Sequence, residues 1–98
     1  MDTEEQRMRI QVKTKRGQEW FAFSLAVLEH IEEYTVGQYG DTGADPASEY
    51  TPEDALRSAS KYIARYGRNA RPGEQHRDFL KLAHYAQLAA TSWSKKNG

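Results

Sequence analysis

Ninety-eight residues, 38% of them hydrophobic and 29% charged, allow a single domain with one modest core. The absence of cysteine excludes disulfide staples, thiol nucleophiles and thiolate metal sites. Fourteen basic and fourteen acidic side chains cancel to zero net charge, and no window approaches the roughly 18 apolar residues of a membrane span, so the composition predicts a soluble cytoplasmic chain with no membrane contact.

The zero net charge hides a segregation along the chain. Residues 1–28 carry +1, residues 29–54 carry eight acids and no lysine or arginine, and residues 55–98 carry nine bases against only Glu74 and Asp78. Either the acidic and basic parts neutralise each other, within the chain or between subunits, or the basic part is kept for an anionic ligand.

Residues 1–7 lack apolar periodicity and read as a disordered tail ahead of one domain over 8–94, with 95–98 a frayed end. From Met8 the pattern alternates: Met8, Ile10 and Val12 interleave with Arg9, Gln11 and Lys13, and Glu19-Trp20-Phe21-Ala22-Phe23 follows Arg16-Gly17. With Arg16-Gly17 as a two-residue loop, Val12 faces Phe21, Ile10 faces Phe23 and Met8 faces Leu25, all on one side. The pattern predicts a β-hairpin, with Trp20 on the other face. Its open edges and apolar side call for helices, or a second chain, to cover them.

Ser24 is placed to cap a helix running to about Thr35, with Val27, Leu28, Ile31 and Tyr34 inward, Glu29, Glu32 and Glu33 opposite, and His30 at the border. Residues 36–50 hold three glycines, one proline and no base. The spacing of Gly37, Gly40 and Gly43 lacks the lysine of a phosphate loop, and Asp41, Asp45 and Glu49 do not match an EF-hand, so a solvated acidic loop is expected.

Thr51-Pro52-Glu53-Asp54 is a helix start: a hydroxyl cap, a proline needing no N–H, and two carboxylates at the positive dipole end. Ala55, Ala59, Tyr62, Ile63 and Tyr66 share one side, Arg57, Lys61, Arg65 and Arg68 the other, and Gly67 stops the helix. A last helix from about Pro72 to Trp93 repeats Phe79, Leu82, Ala83, Ala86, Ala90 and Trp93 as an inward stripe, with Arg77, Lys81 and His84 opposite. The fold class expected is α+β, a hairpin packed on three α-helices, the last two antiparallel.

The densest candidate site is Arg65, Arg68, Asn69, Arg71, Arg77, Lys81 and His84, with Tyr66 beside it. Arginine forks pair two N–H donors with phosphate oxygens, and Tyr62, Tyr66 or Tyr85 could stack on a base. The ligand this set suits is a phosphate-bearing nucleotide or nucleic acid, unless the acidic segment already neutralises the arginines. Ser24, Ser58, Ser60 and His84 have no context that activates a nucleophile, so the expectation is a non-catalytic, cofactor-free and oligomeric binding module.

Three resemblances bear on function. Glu29, Glu32 and Glu33 with Glu74 and Asp78 weakly resemble the paired acidic helices of MazG-like nucleotide pyrophosphatases, which would imply magnesium at a substrate's phosphates; the four-residue step from Glu74 to Asp78 departs from that family's ExxD spacing. SASKYIARYGRNARPGEQHRDFLKLAHYAQLA, preceded by HIEEYTVGQYGD, resembles small bacteriophage-encoded proteins of uncharacterised function. KYIARYGR and DFLKLAHY are loosely similar to a phage domain of the SaV-like type. The phage resemblance implies a ligand-sequestering, anti-defence role, or an inhibitor binding a host protein through its acidic middle segment.

Overall fold

The computed structural model describes residues 10–36 and 50–97. The expected tail, the strand residue Met8, and the glycines and acids over 37–49 lie outside the described residues.

The described residues form three helices and no strand, so the α+β class is overturned. Where a hairpin was expected, α1 runs over Lys15–His30 and continues as a π-helical turn over Ile31–Thr35. Thr14 caps it from extended backbone: its Oγ1 accepts the Gly17 N–H at 3.0 Å, and its carbonyl accepts the Gln18 N–H at 2.9 Å. Arg16-Gly17 therefore belongs to the first helical turn, not to a loop. The alternation in Glu19–Phe23 is only five residues long, whereas Phe23, Ala26, Val27, His30 and Tyr34 sustain a helical period over twelve. A helix also satisfies its backbone within the segment, while a two-stranded ribbon leaves both edges unpaired. Ser24, expected as a cap, sits inside α1 and donates Oγ to the Phe21 carbonyl at 2.7 Å.

α2 spans Pro52–Ala64 and opens on a reciprocal cap: the Asp54 N–H donates to Thr51 Oγ1 and the Thr51 N–H donates to Asp54 Oδ2, each at 3.1 Å. Gly67, at φ +81°, turns the chain out of the helix. After Gly73, at φ +78°, α3 spans Glu74–Asn97.

α2 and α3 run antiparallel. Arg65 meets Asp78 at the turn, Tyr62 stacks on Tyr85 at 5.9 Å in the middle, and Ser92 Oγ donates to the Tyr50 carbonyl at 2.6 Å at the far end. The side chains between them are small, since Ala55 and Ala59 are buried. α1 lies against the first half of α3, where Leu80 is 8% exposed and His30 is buried. The expected inward stripe of α3 is thereby corrected: Phe79 is 41% and Trp93 58% exposed, and Ala86 and Ala90 are also exposed. Contacts to α2 and α1 fall instead on Asp78, Leu80, Lys81, Tyr85 and Ser92.

Candidate functional site

Asp78 organises the turn between α2 and α3. It is 1% exposed, and its carboxylate accepts two hydrogen bonds from Arg65, Nε to Oδ2 at 2.9 Å and Nη2 to Oδ1 at 2.5 Å, and a third from Asn69 Nδ2 at 3.2 Å. One helical turn earlier, Gln75 Oε1 accepts from the Gly67 N–H at 3.0 Å and from Asn69 Nδ2 at 2.9 Å. Two side chains in the first two turns of α3, Gln75 and Asp78, thus latch residues 65–69. The Arg65 bonds hold the Asp78 carboxyl below the usual carboxylate range, against the opposing effect of burial, and raise the Arg65 guanidinium above its own. Asn69 Oδ1 is buried without a hydrogen-bond partner, a local cost of this arrangement.

The other expected cations divide. Arg77 lies over the Tyr34 ring at 5.3 Å, and the Lys81 ammonium stands between Tyr34 at 5.6 Å and Tyr62 at 5.2 Å. These two bases tie α1 and α2 to α3. Arg65 also covers Tyr62, at 5.3 Å, so neither Tyr34 nor Tyr62 offers a bare ring face for a base. His84 stacks on Tyr85 at 6.4 Å. Arg68 and Arg71 are different: both are exposed on the latched turn, and their side chains make no hydrogen bond or ion pair to any described residue, although the Arg68 N–H donates to the Arg65 carbonyl and the Arg71 carbonyl accepts from the Glu74 N–H. Tyr66, 66% exposed and 6.1 Å from the Phe79 ring, stands at the same end.

A cleft of about 620 Å³ opens between the end of α1 and the start of α3. Glu29 and Glu33 line it from α1, facing His76 and Arg77, with Ala26 and Leu80 between. Two carboxylates at its mouth oppose a polyphosphate, so the cleft and the arginine turn are chemically distinct. His30, stacked on Tyr34 at 5.1 Å, closes the inner end. Burial, then the charges of Lys81, His84 and Arg77, push its pKa below 6.5. As pH falls below about 6.5 the unfolded chain takes up a proton that the folded His30 resists, so stability is full above that value and declines below it. Thermal melts are expected to show Tm dropping by a few degrees from about pH 7.5 to about pH 5.5. In His30→Phe, which keeps a ring on Tyr34, this slope should flatten; an unchanged slope would remove His30 from the account.

Sequence reasoning missed the latch. Its signal was present: Glu74 and Asp78 are the only acids among residues 55–98, and an isolated carboxylate in a segment carrying nine bases has strong reason to pair internally. The magnesium alternative placed Asp78 on a metal, but here its oxygens face Arg65 and Asn69. Among the described residues no group of three acidic or imidazole side chains is placed to hold a metal ion, and no helix is long and apolar enough to cross a membrane. Comparison with protein-family models, with curated proteins and with solved structures finds no match to this chain.

Proposed function

We propose that this chain is a non-catalytic binding module that takes a phosphate-bearing nucleotide or nucleic acid on the turn between α2 and α3. Arg68 and Arg71 supply the anion contacts and Tyr66 a ring face for a base. Arg65 and Asn69 act from behind, through Asp78 and Gln75, by fixing the turn. Arg77, Lys81 and His84 add positive potential while engaged with aromatic rings of the chain. One observation carries this reading: two exposed guanidinium groups, unpartnered among the described residues, sit on a turn held by five hydrogen bonds to Gln75 and Asp78. Pre-organisation of that kind lowers the ordering cost of binding. The phage resemblance supplies the setting, a ligand-sequestering protein acting against host defence.

The test is fluorescence anisotropy with a labelled nucleoside triphosphate and a labelled single-stranded oligonucleotide across a salt series. Two phosphate contacts on a single strand predict a log–log salt slope of about −1.4. The Arg68→Ala/Arg71→Ala double variant is expected to bind at least about tenfold more weakly, with its slope moving toward zero, while Arg57→Ala, at an exposed Asp54 pair, is unchanged. No binding of either probe at low salt, or equal binding by the double variant, defeats the proposal. The host-protein inhibitor reading draws on Glu29, Glu32 and Glu33, exposed on α1 and its π-helical turn, but its remaining acids over 37–49 lie outside the described residues.

A further inference from the structure

The outward side of α3 is apolar and symmetric. Phe79, Ala83, Ala86, Ala90 and Trp93 fall within about 40° of one line along the helix at 100° per residue. Their order is large, small, small, small, large, and it reads the same from either end about Ala86. None of the five is buried: Phe79 and Trp93 are 41% and 58% exposed, Ala86 and Ala90 are exposed, and Ala83 is partly so. Tyr66, in ring contact with Phe79, extends this side toward α2. At about 100° per residue the nearest charged residues of α3, Asp78 and Lys96, lie about 100° from this line; Asp78 is paired with Arg65, and Arg77 and Lys81, on the far side, meet Tyr34.

We infer that this side of α3 is the interface of a two-fold dimer, and that its occupant is the same side of α3 in a second copy, running antiparallel. Three properties of the surface select a second copy. The first is area: Phe79, Trp93, Tyr66 and the alanines offer on the order of 500 Å² per chain, within the range of the largest patch a monomer leaves exposed. Two copies together bury about 1,000 Å² at most, the size of a weak, reversible interface. The second is charge. In a two-fold interface only a side chain on the axis meets its own copy; Ala86 takes that place, and the stripe carries no charged residue that would need an opposite charge on the facing chain. The third is shape. Antiparallel pairing about Ala86 puts Ala83 of one chain by Ala90 of the other and Phe79 by Trp93. The alanines then sit at the crossing, where the helices are closest, and the large rings sit where crossed helices diverge.

This inference stands independently of the nucleotide reading, and its readouts involve no ligand. Sedimentation equilibrium of the full chain is expected to give twice the 11.2 kDa chain mass at tens of micromolar, dissociating on dilution. Ala86→Glu should weaken the dimer by roughly 100-fold or more, because it buries two unpaired carboxylates against each other, with helical content unchanged by circular dichroism. Leu25→Glu, on the outward side of α1, should leave the dimer intact. The absence of native cysteine makes the register directly testable. Under mild oxidation Ala86→Cys should link to itself, and a mixture of Ala83→Cys and Ala90→Cys chains should cross-link to each other in preference to either alone. A monomer at 100 µM, a dimer insensitive to Ala86→Glu but broken by Leu25→Glu, or self-linking of Ala83→Cys in preference to the mixed pair would each overturn the proposal.

Discussion

Arg65→Ala is expected to destabilise the fold more than Asp78→Ala does, although both remove the same ion pair. The asymmetry follows from where each charge is left. Asp78 is 1% exposed, so deleting Arg65 leaves its carboxylate with Asn69 as its remaining side-chain donor. The Arg65 side chain is 41% exposed, and after deletion of Asp78 its guanidinium can swing into solvent. For a domain of this size the larger loss should appear as a Tm lower by several degrees.

The two variants should also differ with pH. In the native chain Asp78 titrates below its ordinary value of 3.8, so its contribution to stability is present above that pH and is lost as the solution becomes more acid. Without Arg65, burial is opposed only by the Asn69 hydrogen bond and the Lys81 charge, so the carboxyl loses most of what holds it down. Arg65→Ala should therefore lose less stability than the native chain does on acidification through the ordinary carboxylate range. Urea denaturation of both variants at two pH values decides the matter. Equal costs, or the same acid loss in Arg65→Ala as in the native chain, would mean that the buried carboxylate is not what the arginine protects.

Leu80→Ala should cost about 2–3 kcal/mol, while Phe79→Ala, although it removes a larger side chain, should cost about 1 kcal/mol or less in monomer stability. Leu80 is 8% exposed and fills the junction of α1 with α3, where truncation leaves a cavity. Phe79 is 41% exposed and touches Tyr66 at the rim, where its loss leaves no enclosed void. The comparison must be made at low protein concentration, because Phe79 also belongs to the proposed dimer face. Since the apolar periodicity of α3 by itself nominates Phe79 as core and leaves Leu80 outside, a larger cost for Phe79 would restore the periodic reading.

Local signals in the sequence were informative where one residue type meets one backbone need. Thr51 with Asp54 and Pro52 specifies a helix start because a hydroxyl, a carboxylate and a missing N–H act within four residues. Gly67 marks a stop because φ +81° is open to it without strain. The hairpin expectation failed because Glu19–Phe23 is too short to separate a period of two from one of 3.6, and the Thr14 cap, which decides for the helix, lies outside that window.

The candidate site was legible as a concentration of cations and not as an arrangement. Seven residues read alike in one dimension, yet Arg65 and Asn69 are bound to Asp78, Arg77 and Lys81 rest on rings from other helices, His84 stacks on Tyr85, and the side chains of Arg68 and Arg71 stay clear of every described partner.

By itself, then, the chain determined the helices of its second half, the positions of its turns and the segregation of its charge, since these depend on neighbours within one or two turns. Only the tertiary structure decided which face of α3 is covered. Periodicity marks an apolar stripe but cannot say what lies opposite it. Here Arg65, Tyr62 and Tyr50 draw Asp78, Tyr85 and Ser92 inward, and the rings and alanines that look most like core are turned to the outside.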